Sequence, residues 1–174
     1  MATYTLQQAQ QIISNLVRAN IIDVQILANT RLLEGKMKNR IFKRGLDSNE
    51  GKIGDYSKKA ISFPTSKLPN KSGARGKKSI YAKSGYWEIR NLAGRQNAYV
   101  DLKFSGDLQT SITTVVKGDN SEIVVLGTDN AKKLAWNEKH FNTTIGQPSQ
   151  KELDDFINRT TKSIQKESNK FLKP

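Results

Sequence analysis

The chain has 174 residues, with 29 lysines and arginines against 16 acidic residues for a net charge of +13, and 36% hydrophobic residues. That length suits one domain with a modest core, and the cationic excess favours anionic partners such as nucleic acid, phosphates or an acidic protein surface. Cysteine is absent, which excludes disulfides, thiolate nucleophiles and cysteine-rich zinc sites. The apolar runs fall short of the roughly 20 residues of a membrane span. The opening MATYTLQQAQQ lacks the basic flank and apolar stretch of a signal peptide, so the expectation is a soluble protein made in a cytoplasm without membrane contact.

The first element begins at Thr5, with Gln8 three residues on at capping-box spacing. Ala9, Ile12, Ile13, Leu16 and Val17 then fall on one helical face. A second helix is predicted from about Asn20 to about Arg44, its apolar stripe made by Ile22, Ile26, Leu33, Met37 and Ile41. Lys36, Lys38, Arg40, Lys43 and Arg44 gather near its end, where cations suit the helix dipole; the plain reading is a solvated helix end stopped by Gly45.

Between about Leu46 and Gly85 the periodicity dissolves into a segment rich in Gly, Ser, Lys and Pro. Nine cations against three anions leave it at +6, nearly half of the whole excess. A loop this long inside a domain points to a functional arm, expected to order on assembly. Tyr56, Ile61, Phe63, Leu68, Ile80 and Tyr81 are its candidate anchors on a partner. Lys58, Lys59, Lys67, Lys71, Arg75, Lys77, Lys78 and Lys83 are its candidate subunit or DNA contacts. Deleting about Ser66 to Lys83 is expected to leave the monomer folded.

GYWEIRNLAGRQ reads as a short helix ending before Gly94. In the next stretch Tyr99, Asp101 and Lys103 alternate with Val100, Leu102 and Phe104, the period of a half-buried strand. Ser105 and Gly106 break the run, and Leu108 and Ile112 are placed to pin the resulting turn to the core. A β-hairpin is predicted next, with strands at about 111–117 and 122–127 around Gly-Asp-Asn. Asp129 is positioned to cap a helix holding Ala131, Leu134, Ala135 and Glu138. Ser149 and Glu152 form a second capping box, ahead of a helix striped by Leu153, Phe156, Ile157, Ile164 and Phe171. Helices, arm, small antiparallel sheet and helices make an α+β fold within a single domain.

Catalytic signatures are sparse. His140 is the one histidine, and Glu138, two residues before it, projects from a different side of the helix. Asp47 opens a stretch like a calcium loop, but Lys58 occupies the twelfth position, where a bidentate Glu belongs. GARGKKS lacks the spacing of a phosphate loop. Asp154 and Asp155 are neighbours that diverge on a helix. No catalytic residue, cofactor or metal site is expected, and the chain reads as a non-enzyme. Nucleic-acid contact, if made through lysines with Tyr56, Phe63 and Tyr81, would be charge-driven without base reading.

Three segments in order resemble the neck proteins of tailed bacteriophages, the head–tail joining, tail-completion or virion morphogenesis proteins. RIFKRGLDSNEGKIGDYSKK, Arg40 to Lys59, resembles a helix ending in a basic-aromatic pair and a glycine-spaced arm closing on Ile-Gly-x-Tyr-Ser. GYWEIRNLAGRQNAYVDLKFSGDLQTSI, Gly85 to Ile112, is similar to the element whose turn leads into a hairpin. KLAWNEKHFNTTIGQPSQKELDDF, Lys133 to Phe156, resembles a helix, a loop and a Pro-Ser-x-x-Glu-Leu helix start, with NEKHFN replacing the family's glycine-terminated form. The resemblance implies a structural virion protein located in the neck or tail, a subunit of a homo-oligomeric ring around the DNA channel. Its implied partners are portal or adaptor proteins and tail proteins of the same virion, with non-specific contact to genomic DNA as a further expectation. Alternatives are a free basic nucleic-acid-binding protein and a tail-terminator or tail-tube subunit.

Overall fold

The computed structural model describes residues 5–18, 20–68, 76–103, 105–118 and 120–171; the candidate contacts Lys71 and Arg75 lie outside them. Among the described residues the fold is α+β, with six α-helices and two small two-stranded antiparallel sheets. The chain forms two compact units. One takes residues up to Met37, 112–124 and from Pro148 onward; the other takes 38–111 and 125–147.

The first unit combines α1 (Leu6–Arg18), α2 (Ile21–Asn39), the hairpin strands β3 (Ile112–Lys117) and β4 (Asn120–Val125), and α6 (Gln150–Phe171). Both capping boxes close. Thr5 N–H donates to Gln8 Oε1 at 2.9 Å and Gln8 N–H to Thr5 Oγ1 at 3.2 Å. Ser149 N–H donates to Glu152 Oε2 at 2.8 Å and Glu152 N–H to Ser149 Oγ at 3.2 Å. Each box satisfies two helix-start donors. The helix α1 packs against α6, and Lys36 on α2 pairs with Asp155 on α6. The hairpin is tied to α2 by side chains: Glu34 Oε2 accepts from Thr114 N–H at 2.7 Å and from its hydroxyl at 2.8 Å. Thr30 Oγ1 meets Ser121 Oγ at 3.0 Å. Glu34 thereby supplies an acceptor for a backbone N–H of β3.

The second unit starts with a departure from expectation. The second helix ends at Asn39, and Arg40–Arg44 form a π-turn that closes at Gly45, in the left-handed conformation with its N–H donated to Arg40 O. Lys43 and Arg44 are exposed as expected of a solvated end, but Arg40 is buried. Its guanidinium donates to Leu46 O at 3.1 Å, to Gln147 O at 2.6 Å and to Ile145 O at 3.4 Å. Three backbone carbonyls replace the water that a surface arginine would keep.

The segment 46–85 contains structure that its composition concealed. β1 (Ile61–Pro64) pairs antiparallel with β2 (Ser79–Ala82), Ile61 opposite Ala82 and Phe63 opposite Ile80. This hairpin packs on α3 (Gly85–Leu92): Leu68, Ala82, Ile89 and Ala93 form a buried cluster flanked by Ile61, Phe63, Ile80 and Tyr86. Of the expected partner anchors, only Tyr81 is exposed. Ile61, Phe63, Leu68 and Ile80 face inward because the hairpin must bury an apolar face against something, and α3 is the next element along the chain, while Tyr56, ahead of the hairpin, bonds Asp101. Deleting 66–83 would remove Leu68, Ala82 and all of β2, so the expectation of a folded deletion variant does not hold.

No strand forms over the described residues of the stretch 99–104; Phe104 lies outside them. Val100 and Asp101 are both buried, and Leu102 takes φ +50°. Two adjacent side chains buried together cannot follow a period of two. The remaining elements are α4 (Asp107–Ser111) and α5 (Thr128–Phe141), which pack on each other. Asp129 sits in the first turn of α5; Gly127 holds the cap position, and no side chain bonds it.

Candidate functional site

The irregular stretch after α3 is held by a buried ion pair. Arg90, on α3, donates from Nη2 to the Asp101 carboxylate, 2.8 Å from Oδ1 and 3.0 Å from Oδ2. Its Nε donates to Gln96 O at 2.7 Å and its Nη1 to Lys103 O at 2.9 Å. Asp101 Oδ1 also accepts from Lys103 N–H at 3.0 Å and from the Tyr56 hydroxyl at 2.8 Å. The guanidinium carbon lies 4.4 Å from the centre of the Tyr56 ring. Tyr56 in turn meets Tyr86 edge to face, with centroids 5.6 Å apart. Burial drives the Tyr56 hydroxyl well above the ordinary tyrosine range, against smaller opposing contributions from the Asp101 backbone bond and Arg90. Tyr86 is raised in the same direction, again by burial.

This network forms one end of a cavity of about 780 Å³ lying wholly within the second unit. Phe63, Tyr86 and Val100 continue the apolar wall, while α5 closes the other side with Trp136, His140 and Phe141. The His140 ring stacks on Trp136 at 4.7 Å, nearly parallel, and meets Phe141 edge-on at 4.8 Å. Besides the paired Arg90, charged groups of both signs reach the lining: Lys67 and Lys133, Asp55 and Asp107.

Of the candidate contact and turn residues, Lys67, Ser105, Gly106 and Leu108 meet here, together with the expected anchors Tyr56 and Phe63 and the histidine His140. Ser105 Oγ donates to Asp107 Oδ2 at 2.7 Å, Gly106 takes φ +100°, and Leu108 is buried. The chain therefore turns at Ser105-Gly106 and enters α4 with its leucine inward. Ile112 is buried at the start of β3, in the other unit. The cavity does not gather the other lysines. Lys58 and Lys59 are exposed ahead of β1, and Lys77, Lys78 and Lys83 are exposed on either side of β2.

Two of the acidic residues tested for chemistry, Asp47 and Glu138, are engaged in holding loops, while Asp154 and Asp155 lie on α6 and accept from Gln150 and from Lys36 and Arg159. Asp47 Oδ1 accepts from the N–H groups of Asn49 and Gly51, both at 2.9 Å, and Oδ2 from Thr143 Oγ1 at 2.6 Å. Glu138 Oε1 accepts from Ile145 N–H at 2.8 Å and Gly146 N–H at 2.9 Å. Sequence reading missed the Arg90–Asp101 pair, and it singled out His140 without its stacking on Trp136. A charged residue inside an alternating run gives no sign of facing inward until its partner is in place. No family model, no curated protein and no solved structure matches the chain.

Proposed function

We propose that the chain is a structural virion protein of a tailed bacteriophage. It would be a ring subunit in the neck or tail, joining the portal side of the head to the tail around the DNA channel. One observation carries this reading: the first two segments that resemble the neck family are ones that interlock. Tyr56 and Ser57 come from the first; Gly85, Arg90, Val100 and Asp101 come from the second. Tyr56 is held by Asp101, Trp87 N–H donates to Ser57 O at 3.2 Å, and Val100 N–H donates to Gly54 O at 3.4 Å. The distinctive residues are engaged with one another in ways that serve shape and rigidity, as a ring wedge requires.

The exposed lysines support the rest of the reading. Lys58, Lys59, Lys77, Lys78 and Lys83 stand on the surface around a folded hairpin, where an adjoining virion protein or the DNA in the channel can reach them. The test is a phage genome in which these five lysines are changed to glutamine. Surface substitutions of this kind change stability by about 0.5 kcal/mol or less each, so the purified variant should fold. Heads and tails that fail to join support the proposal, and normal joining counts against it. The purified native chain should bind duplex DNA weakly. An affinity falling by about 10³-fold or more between roughly 50 and 200 mM salt would favour a free DNA-binding protein instead.

A further inference from the structure

The helix α1 carries an apolar stripe that no described residue covers. Leu6, Ile13 and Val17 are 79%, 61% and 62% exposed. Steps of seven and four residues put all three on one helical face. An uncovered stripe of this kind on a soluble helix marks a contact surface. Its charge is equally unusual. In a chain of net charge +13, no Lys, Arg, His, Asp or Glu precedes Arg18. Two copies of so basic a molecule repel over most of their surfaces, and α1 is where they can approach without that cost.

We propose that the α1 stripe of one copy docks in the aromatic cavity of the second unit of another copy. This deepens the ring reading and rests on it, since a ring needs two different patches that meet head to tail. Ile13 and Val17 are one turn apart, about 6 Å along the axis, and supply the two anchors of a helix laid in a groove. The cavity offers Phe63, Tyr86 and Trp136 as their receiving wall, and Trp136 is itself 62% exposed. The lining charges select the occupant. Lys67 and Lys133 are offset by Asp55 and Asp107, and the third cation of the lining, Arg90, is paired with Asp101, so a phosphate backbone would meet two carboxylates, whereas a neutral, glutamine-flanked helix meets repulsion from neither sign.

Because the native chain has no cysteine, the contact can be read by paired cysteines. Ile13→Cys and Lys133→Cys are made in separate chains, both at exposed positions, then mixed and oxidised. The proposal expects a cross-link between the two variants and little within either alone. It also expects Ile13→Gln, a surface change that leaves the fold intact, to weaken self-association measured by sedimentation on the order of tenfold. Self-linking of Ile13→Cys alone, no cross-link in the mixture, or unchanged association of Ile13→Gln would overturn it. So would quenching of Trp136 by a duplex oligonucleotide with no copy-to-copy link. Cross-linking by a chain that is absent from particles leaves this contact standing and removes only the neck assignment. Normal particles built from Ile13→Gln remove the contact and leave the assignment.

Discussion

Replacing Arg90 with methionine tests whether the buried ion pair organises the second unit. The substitution keeps most of the side-chain volume but removes four donor contacts: two to the Asp101 carboxylate and one each to Gln96 O and Lys103 O. It leaves Asp101, 4% exposed, with its bonds from the Tyr56 hydroxyl and the Lys103 N–H but without its cation. Breaking a buried pair by removing one partner costs about 3–5 kcal/mol, and loss of the cation over the Tyr56 ring adds about 0.5–2 kcal/mol. These contributions overlap, so the expected loss is about 4 kcal/mol. Arg90→Lys retains the charge but not the planar fork, and should lose about half as much. The assay is urea unfolding followed by tryptophan fluorescence. Both tryptophans, Trp87 and Trp136, lie in the second unit, so the signal reports that unit. A double-mutant cycle with Asp101→Asn should give a coupling of about 1–3 kcal/mol. A loss below about 1 kcal/mol for Arg90→Met, or additive effects in the cycle, would refute the reasoning.

Three further outcomes are expected. Gly85→Ala should destabilise far more than Gly94→Ala. Both glycines sit near φ +65°, which costs an L-residue about 1–2 kcal/mol, but only at Gly85 would the new Cβ strike backbone, with Ser57 O at 2.6 Å; equal melting temperatures would contradict this. Ser149→Ala removes one half of the buried α6 cap and should cost about 1 kcal/mol, read as a lower midpoint in thermal circular dichroism. Tyr56 and Tyr86 are held above their ordinary value by burial. Above about pH 10 the unfolded chain therefore releases protons that the folded chain keeps, and stability is full below that pH and falls as pH rises. Urea midpoints that stay flat through this range, or early tyrosinate absorbance in the folded protein, would contradict the burial.

The contrast between what sequence disclosed and what it hid follows interaction range. The two capping boxes were legible because Thr5–Gln8 and Ser149–Glu152 are partners three residues apart. The β3–β4 hairpin was legible for the same reason, its turn lying between its strands. The β1–β2 hairpin was not, because its strands are separated by 14 residues without an apolar pattern. Its stability comes from Ile89 and Ala93, which are further on still. Alternation over 99–104 suggested a strand, yet Asp101 turns inward to Arg90 and a tertiary charge pair overrides the local period. Arg40 belongs to the same class: a helix-end cation by position, a buried donor once 145–147 folds over it. The cavity was half visible, through Ser105, Gly106 and Leu108, while its aromatic wall on α5 read as ordinary helix.

The central proposal is that this molecule is a component built into a virion, and quantitative mass spectrometry of phage particles produced by a genome that carries its gene tests that most directly. The account predicts the chain in every finished particle, at a fixed multiple of the portal ring and retained after salt washing. Particles complete and infectious without it would contradict the account.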